Sequence, residues 1–151
     1  MKISSKGRYA VSAMIDLAMH EKKGPLTIAD ISEKQNISLS YLEQIFAELR
    51  KAGLVRGTRG PGGGYRLACS ADEITVAKVM EALGERRQNV NLMGDRYVPF
   101  EMWKGLSQQI YDFLSNITLQ QCIDRVSQEQ STVSTTTEVF QKEASGNQRA
   151  A

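Results

Sequence analysis

Three arginines, Arg56, Arg59 and Arg66, surround the run Gly60-Pro61-Gly62-Gly63-Gly64. Guanidinium groups bond phosphates and base edges, and glycines let a backbone approach a ligand closely. Neither a helix nor a regular strand interior tolerates that run, so the segment is a hairpin tip. A second polar set lies just before it on a helical spacing. Leu42, Ile45, Phe46 and Leu49 fall at i, i+3, i+4 and i+7, one apolar stripe for a helix to bury. Ser40, Glu43, Gln44 and Ala47 lie away from that stripe, a short polar face suited to base edges. A helix leading into a basic hairpin is the plan of a winged helix-turn-helix. The helix enters a major groove, and the hairpin flanks the backbone or the minor groove.

The elements that position these groups follow from caps and periodicity. Ser4 or Ser5 caps a first helix over roughly 5–21, with Val11, Met14, Ile15 and Ala18 as its inner stripe, and Gly24-Pro25 ends it. Thr27-Ile28-Ala29-Asp30 has the form of a helix start, and Ile28 and Ile31 supply its inner face. Asn36 suits a left-handed stop before Ile37, so residues 27–52 make helix, tight turn, helix. Gly53 closes the second helix, Leu54-Val55 starts the hairpin, and Tyr65-Arg66-Leu67 returns it. Thr75 caps a further helix with Val76, Val79, Met80 and Leu83 inward.

Residues 84–99 are polar and aperiodic and are expected to form a loop. From Phe100 the residues Trp103, Leu106, Ile110, Phe113 and Ile117 fall on a 3-4-3-4 spacing, a heptad seam. Packing on its own domain is the ordinary role of such a stripe. A dimer seam is preferred, because little intrachain core is left for it to cover. Thr118 starts a short helix with Leu119, Cys122 and Ile123. The expected class is mainly α with a small β-hairpin wing. Its parts are a winged helix-turn-helix domain over 1–84, a loop over 85–99, a dimerisation helix and short helix over 100–125, and a disordered tail over 126–151.

Composition narrows the function classes. The chain has 151 residues, 41% hydrophobic, enough for one core, and no apolar run near membrane-spanning length. Its N-terminal stretch lacks a signal-peptide core, so the cytoplasm is the expected location, with no membrane partner. The net charge of +2 divides unevenly, with +5 over residues 1–68 and −3 over 69–151. The positive half carries the helix and hairpin, as a phosphate footprint requires. One histidine, no nucleophile elbow, no Walker loop and no paired carboxylates leave no catalytic constellation. Cys69 and Cys122 are too few for a disulfide framework. A redox switch is their functional reading. The small buried hydrophobe is the ordinary one and is preferred.

These motifs resemble the Rrf2 family of bacterial winged-helix transcription regulators. The likeness runs from Met1 to about Ile123, through SSKGRYAVSAM, IADISEKQ, ISLSYLEQIFAELRKAGLV, RGPGGGY and LSQQIYDFLSNITL. It implies a homodimer with crossing C-terminal helices and two winged domains on a palindromic stretch of double-stranded DNA. It places Ser38, Ser40, Tyr41, Glu43 and Gln44 at recognition-helix positions. Gln can bond adenine bidentately, Glu can accept from cytosine N4, and a serine hydroxyl serves base or phosphate. Glu43 has a rival role, since Ser40-x-x-Glu43 is also a capping-box spacing. Arg59 at the wing base is the minor-groove candidate. Arg56, Arg66, Gly60, Gly62 and Gly63 are assigned to the DNA backbone, although the glycines also simply form a tight hairpin. Ser5, Lys6, Arg8 and Tyr9 are placed on flanking phosphates through the first helix's N-terminus, or serve the fold there.

The chain departs from the family at one point. Cluster-bearing members hold a [2Fe–2S] group with three cysteines and a histidine between the helix after the wing and the dimerisation helix. Here Gly84 to Trp103 contains neither residue type, and Phe100 stands where the histidine would fall. Cluster irons need thiolate or imidazole ligands close together. No cofactor and no metal are therefore expected, and a repressor acting without a cluster is the reading. The alternative is control through the 91–100 region. Either a regulatory protein partner docks on Asn91–Pro99, or a small molecule lies among Met93, Tyr97, Phe100 and Trp103.

Overall fold

The computed structural model describes residues 4–85 and 100–129. Helix α1 (Ser5–His20) starts where the Ser4 hydroxyl accepts from Gly7 N at 3.0 Å. Its buried line is Ala10, Ala13, Met14 and Leu17, with Val11, Ile15 and Ala18 half-buried at the edge. The expected stripe was thus turned by about one residue, and only Met14 is shared. The helix over Val76–Ala82, α4, packs closely on the start of α1. At Gly7 a Cβ would lie 2.7 Å from the Met80 sulfur and 2.8 Å from Glu85 Oε1.

Helix α2 (Ile28–Gln35) begins with the expected capping box. The Asp30 N–H donates to Thr27 Oγ1 at 3.1 Å, and the Thr27 N–H donates to Asp30 Oδ2 at 3.2 Å. The Thr27 hydroxyl also donates to that oxygen, and together these bonds hold the Asp30 carboxyl below the usual carboxylate range. Asn36 adopts the left-handed conformation (φ 53°), and Ser32 Oγ donates to the Ile37 carbonyl at 2.5 Å. Buried Asp16 of α1 accepts from both Lys34 and Gln35, which fixes α2 on α1.

Helix α3 (Leu39–Lys51) buries Leu42, Ile45, Phe46 and Leu49, the predicted stripe. Gly53 (φ 74°) ends it, with Gly53 N donating to the Arg50 carbonyl at 3.0 Å and Leu54 N to the Leu49 carbonyl at 3.0 Å. This pairing is a Schellman stop. Strands β1 (Val55–Thr58) and β2 (Gly64–Leu67) then pair antiparallel, with Val55 opposite Leu67 and Arg56 opposite Arg66. The other edge of β2 pairs with Leu26, through Tyr65 N to the Leu26 carbonyl at 2.8 Å and Leu26 N to the Tyr65 carbonyl at 3.0 Å. The wing is therefore fixed to the turn before α2.

Gly64 sits at this seam with φ 150°, and a Cβ there would lie 2.6 Å from the Leu26 carbonyl oxygen. Gly64→Ala is expected to cost about 1–3 kcal/mol of stability through backbone strain alone. A chemical denaturation midpoint equal to wild type would show that the seam yields without cost.

Helix α4 (Val76–Ala82) is capped by Thr75, whose hydroxyl accepts from Lys78 N at 3.2 Å. Helix α5 (Phe100–Ser115) meets it through Tyr111, whose hydroxyl donates to Glu81 Oε1 at 2.8 Å, and through buried Leu114. The chain then turns back on the winged domain. Val76 N donates to the Ile117 carbonyl at 2.9 Å, Leu119 N to the Ile74 carbonyl at 2.9 Å, and Gln120 N to the Ala71 carbonyl at 3.2 Å. Ile117 thus lies past the end of α5, in the docked return, and does not extend the expected helical seam. Among the described residues the last helix, α6, covers 119–129, beyond the boundary expected at 125. A reciprocal pair of Thr118 and Gln121 bonds caps it, and Leu119 is fully buried in the shared core. The expected loop and tail otherwise fall outside the described residues. Among the described residues no helix is long and apolar enough to cross a membrane.

Candidate nucleic-acid interface

The α3 N-terminus fixes the first half of the site. Ser38 is its N-cap, with Oγ accepting from Tyr41 N at 3.3 Å. The capping role is thereby taken by Ser38 rather than Ser40, and Glu43 falls outside the cap. Its carboxylate is exposed, like the side chains of Ser38, Ser40 and Gln44. Tyr41 is half-buried, its ring edge-on to Tyr9 of α1 with centroids 6.1 Å apart. That contact ties the start of α1 to the start of α3.

The predicted phosphate clamp on α1 is only partly available. Ser5, Arg8 and Tyr9 are exposed, and Arg8 Nη2 donates to Ser5 Oγ at 3.4 Å. Lys6 is engaged in the fold, its ammonium 2.7 and 2.8 Å from the two carboxylate oxygens of Glu48 on α3. Both partners are about a third exposed, so water screens this pair and its stabilisation is small.

The wing divides its arginines by role. Arg56 and Arg66 face one another across the hairpin, a like-charge pairing that is unfavourable when both side chains stay together. Arg66 turns aside, and its Nη1 donates to the Glu21 carbonyl at 3.4 Å, in the 3₁₀ turn after α1. Arg56 and Arg59 remain exposed, with no ion pair among the described residues. Gly60 (φ 96°) and Gly62 (φ 70°) occupy conformations that favour glycine. At Gly63 a Cβ would lie 2.4 Å from the Thr58 carbonyl oxygen. The wing glycines therefore answer first to hairpin geometry.

One exposed group here escaped the sequence reading. Leu39, the first residue of α3, is 45% exposed among the polar side chains of the recognition helix. Helical periodicity hides it, since Leu39 lies three residues before Leu42 and seven before Phe46, in phase with the buried stripe. A second surprise is Glu85, expected in a polar loop but buried over Gly7, where one carboxylate oxygen accepts from the Ser4 hydroxyl.

On α5, Trp103, Leu106 and Phe113 are 37%, 44% and 62% exposed, and Ile110 is half-buried. Residues 91–99, the alternative sensor region, lie outside the described residues. The donor set does not fit a [2Fe–2S] cluster. Cys69 follows the wing, Cys122 is on α6 and His20 ends α1, and no group of three metal-binding side chains occurs among the described residues. Partial burial pushes the Cys122 thiol up, partly offset by the nearby Arg125 charge.

A helix-turn-helix with an exposed polar recognition face, continued by a basic wing, defines a DNA-binding regulator of the winged helix-turn-helix class. The Rrf2 model, described as an iron-dependent transcriptional regulator, matches residues 3–125, and the chain belongs to that family. It is 50% identical over 131 residues to the HTH-type transcriptional regulator IscR of Pectobacterium carotovorum, covering 82% of this chain and 80% of that protein. To IscR of Vibrio vulnificus it is 52% identical over 126 residues, 79% of this chain and 75% of the other. Among solved structures, IscR of T. potens superposes with a TM-score of 0.73 at 38% identity, covering 86% of this chain and 91% of that one. CymR, the global cysteine regulator of B. subtilis, gives 0.71 at 34% identity, covering 83% and 98%. The chain is thus a transcription regulator of the Rrf2/IscR type.

Proposed function

We propose that this regulator is a homodimeric repressor that binds a pseudo-palindromic operator without a [2Fe–2S] cluster. The observation that carries the reading is the exposed set Ser38, Ser40, Glu43 and Gln44 on α3, continued in the next element by exposed Arg56 and Arg59. The first set supplies base-edge hydrogen bonds and the second supplies groove and phosphate contacts. Dimerisation rests on α5, where Trp103, Leu106 and Phe113 leave apolar surface in water. Burying such a side chain completely from full exposure is worth about 1.5–3 kcal/mol, and a second copy on a two-fold axis, covering these with the same residues, gains the part still in water. Two recognition helices then stand about 34 Å apart, one helical turn of DNA. Cluster independence rests on the missing thiolate and imidazole ligands over 84–103. Repression is the simplest outcome of operator occupancy, because it asks for no further contact.

The test is nuclease footprinting of anaerobically purified protein whose iron and sulfide have been assayed. A metal-free dimer protecting two half-sites one turn apart is expected. A stoichiometric cluster whose removal abolishes binding would overturn the cluster-free part. Phe113→Glu is expected to shift sedimentation to the monomer and to weaken operator binding about 10²–10⁴-fold, the advantage of linking two binding modules. A dimeric variant with full affinity would move the interface elsewhere.

A further inference from the structure

Leu39 is the one large apolar side chain exposed on α3. The helix has no internal use for it. Its core contacts are supplied by Leu42, Ile45, Phe46 and Leu49, all completely buried. Nor does Leu39 cap the helix, since Ser38 does so through the Tyr41 N–H. It stands between two exposed serines, and Glu43 lies one turn further along the same side. The first residues of a recognition helix are those that reach base edges. In the major groove the one apolar group that any base pair presents is the thymine C5-methyl.

We infer that Leu39 is a specificity-determining residue that packs against the 5-methyl group of a pyrimidine, a thymine in unmodified DNA, in each half-site. The inference rests on the DNA-binding reading above and deepens it. Serine and glutamate read hydrogen-bonding patterns, whereas Leu39 reads a methyl by excluding water from it. The selectivity is then steric and apolar, and it adds little to the salt dependence of binding, which phosphate contacts set.

The experiment uses full-length protein and an operator recovered by selection from random duplexes. Each thymine of one half-site is replaced in turn by deoxyuridine, which removes only the methyl. Wild type is expected to lose about fourfold in affinity at one position, as for one methyl returned to water. At that position Leu39→Ala is expected to bind thymine and uracil duplexes alike, and Leu39→Met to keep the discrimination. Exchanging cytosine for 5-methylcytosine there should raise wild-type affinity and leave Leu39→Ala unmoved, which separates the methyl from thymine O4. Uracil penalties identical in wild type and Leu39→Ala at every position would overturn the inference while leaving DNA binding intact. Failure of wild type to enrich any sequence would instead overturn the DNA-binding reading beneath it. Circular dichroism melts of the variants confirm that folded proteins are compared, and Leu39→Gln, which keeps a helix-forming side chain but not its apolar tip, carries the test if Leu39→Ala does not fold.

Discussion

Phe46→Ala is expected to lower the unfolding free energy by about 3–5 kcal/mol, the range for an aromatic removed from a packed interior. Small domains hold a margin of about 5–15 kcal/mol, so a large share of the stability is at stake. Phe46 is the largest side chain in the fully buried core. It also joins two functional elements, since its ring centroid lies 4.8 Å from that of Tyr65 on β2 with planes tilted by 60°. A pair in that geometry contributes about 0.5–1.5 kcal/mol beyond its burial. Tyr65 is in turn bonded through its backbone to Leu26, so the cavity would loosen the seam between recognition helix, wing and α2. Urea denaturation of wild type, Phe46→Leu and Phe46→Ala measures this. Phe46→Leu is expected to retain most of the stability and the operator affinity, because much of the volume stays filled. A loss under about 1 kcal/mol for Phe46→Ala would mean that the core collapses onto the cavity, as sites that relax well do.

Capped and periodic elements were legible in the sequence because their determinants are local. The Thr27–Asp30 box, the left-handed Asn36, the Gly53 stop and the buried line of α3 all follow from residues within one or two turns. The α1 stripe was misplaced because alanine carries little weight in a hydrophobic pattern, yet Ala10 and Ala13 are what the close approach of neighbouring helices selects. Contacts between distant segments left no periodic trace. Asp16 with Lys34 and Gln35, Lys6 with Glu48, and Arg66 with Glu21 each span elements, and the last two give internal partners to two cations expected to meet phosphate. The same holds for the return after α5. Its anchors are backbone bonds from residues 71–76 to residues 117–120, which no side-chain pattern encodes. Cap competition needed geometry too, for Ser38 and Ser40 both suit an N-cap and only the helix start separates them.

Arg59→Ala is expected to weaken operator binding by about 1–3 kcal/mol at each half-site if its guanidinium enters a groove. A dimer presents two wings, so a symmetric operator should show roughly twice that loss when the sites act independently. The geometry singles out Arg59 among the wing arginines. Arg66 is held by the Glu21 carbonyl, and Arg56 lies within β1, whereas Arg59 leaves the strand just before the positive-φ Gly60. It is exposed and has no ion pair among the described residues that binding would have to break. Salt separates groove from phosphate. An arginine that only meets a phosphate, the role assigned to Arg56, lowers the slope of log affinity against log salt by about one when removed and weakens all sequences alike. Arg59→Ala should instead change the base preference under its wing. Arg59→Lys should restore the charge without that preference, because an ammonium lacks the planar fork of guanidinium. Full activity in Arg59→Lys would reduce Arg59 to a phosphate contact, and unchanged affinity in Arg59→Ala at matched salt would remove it from the interface.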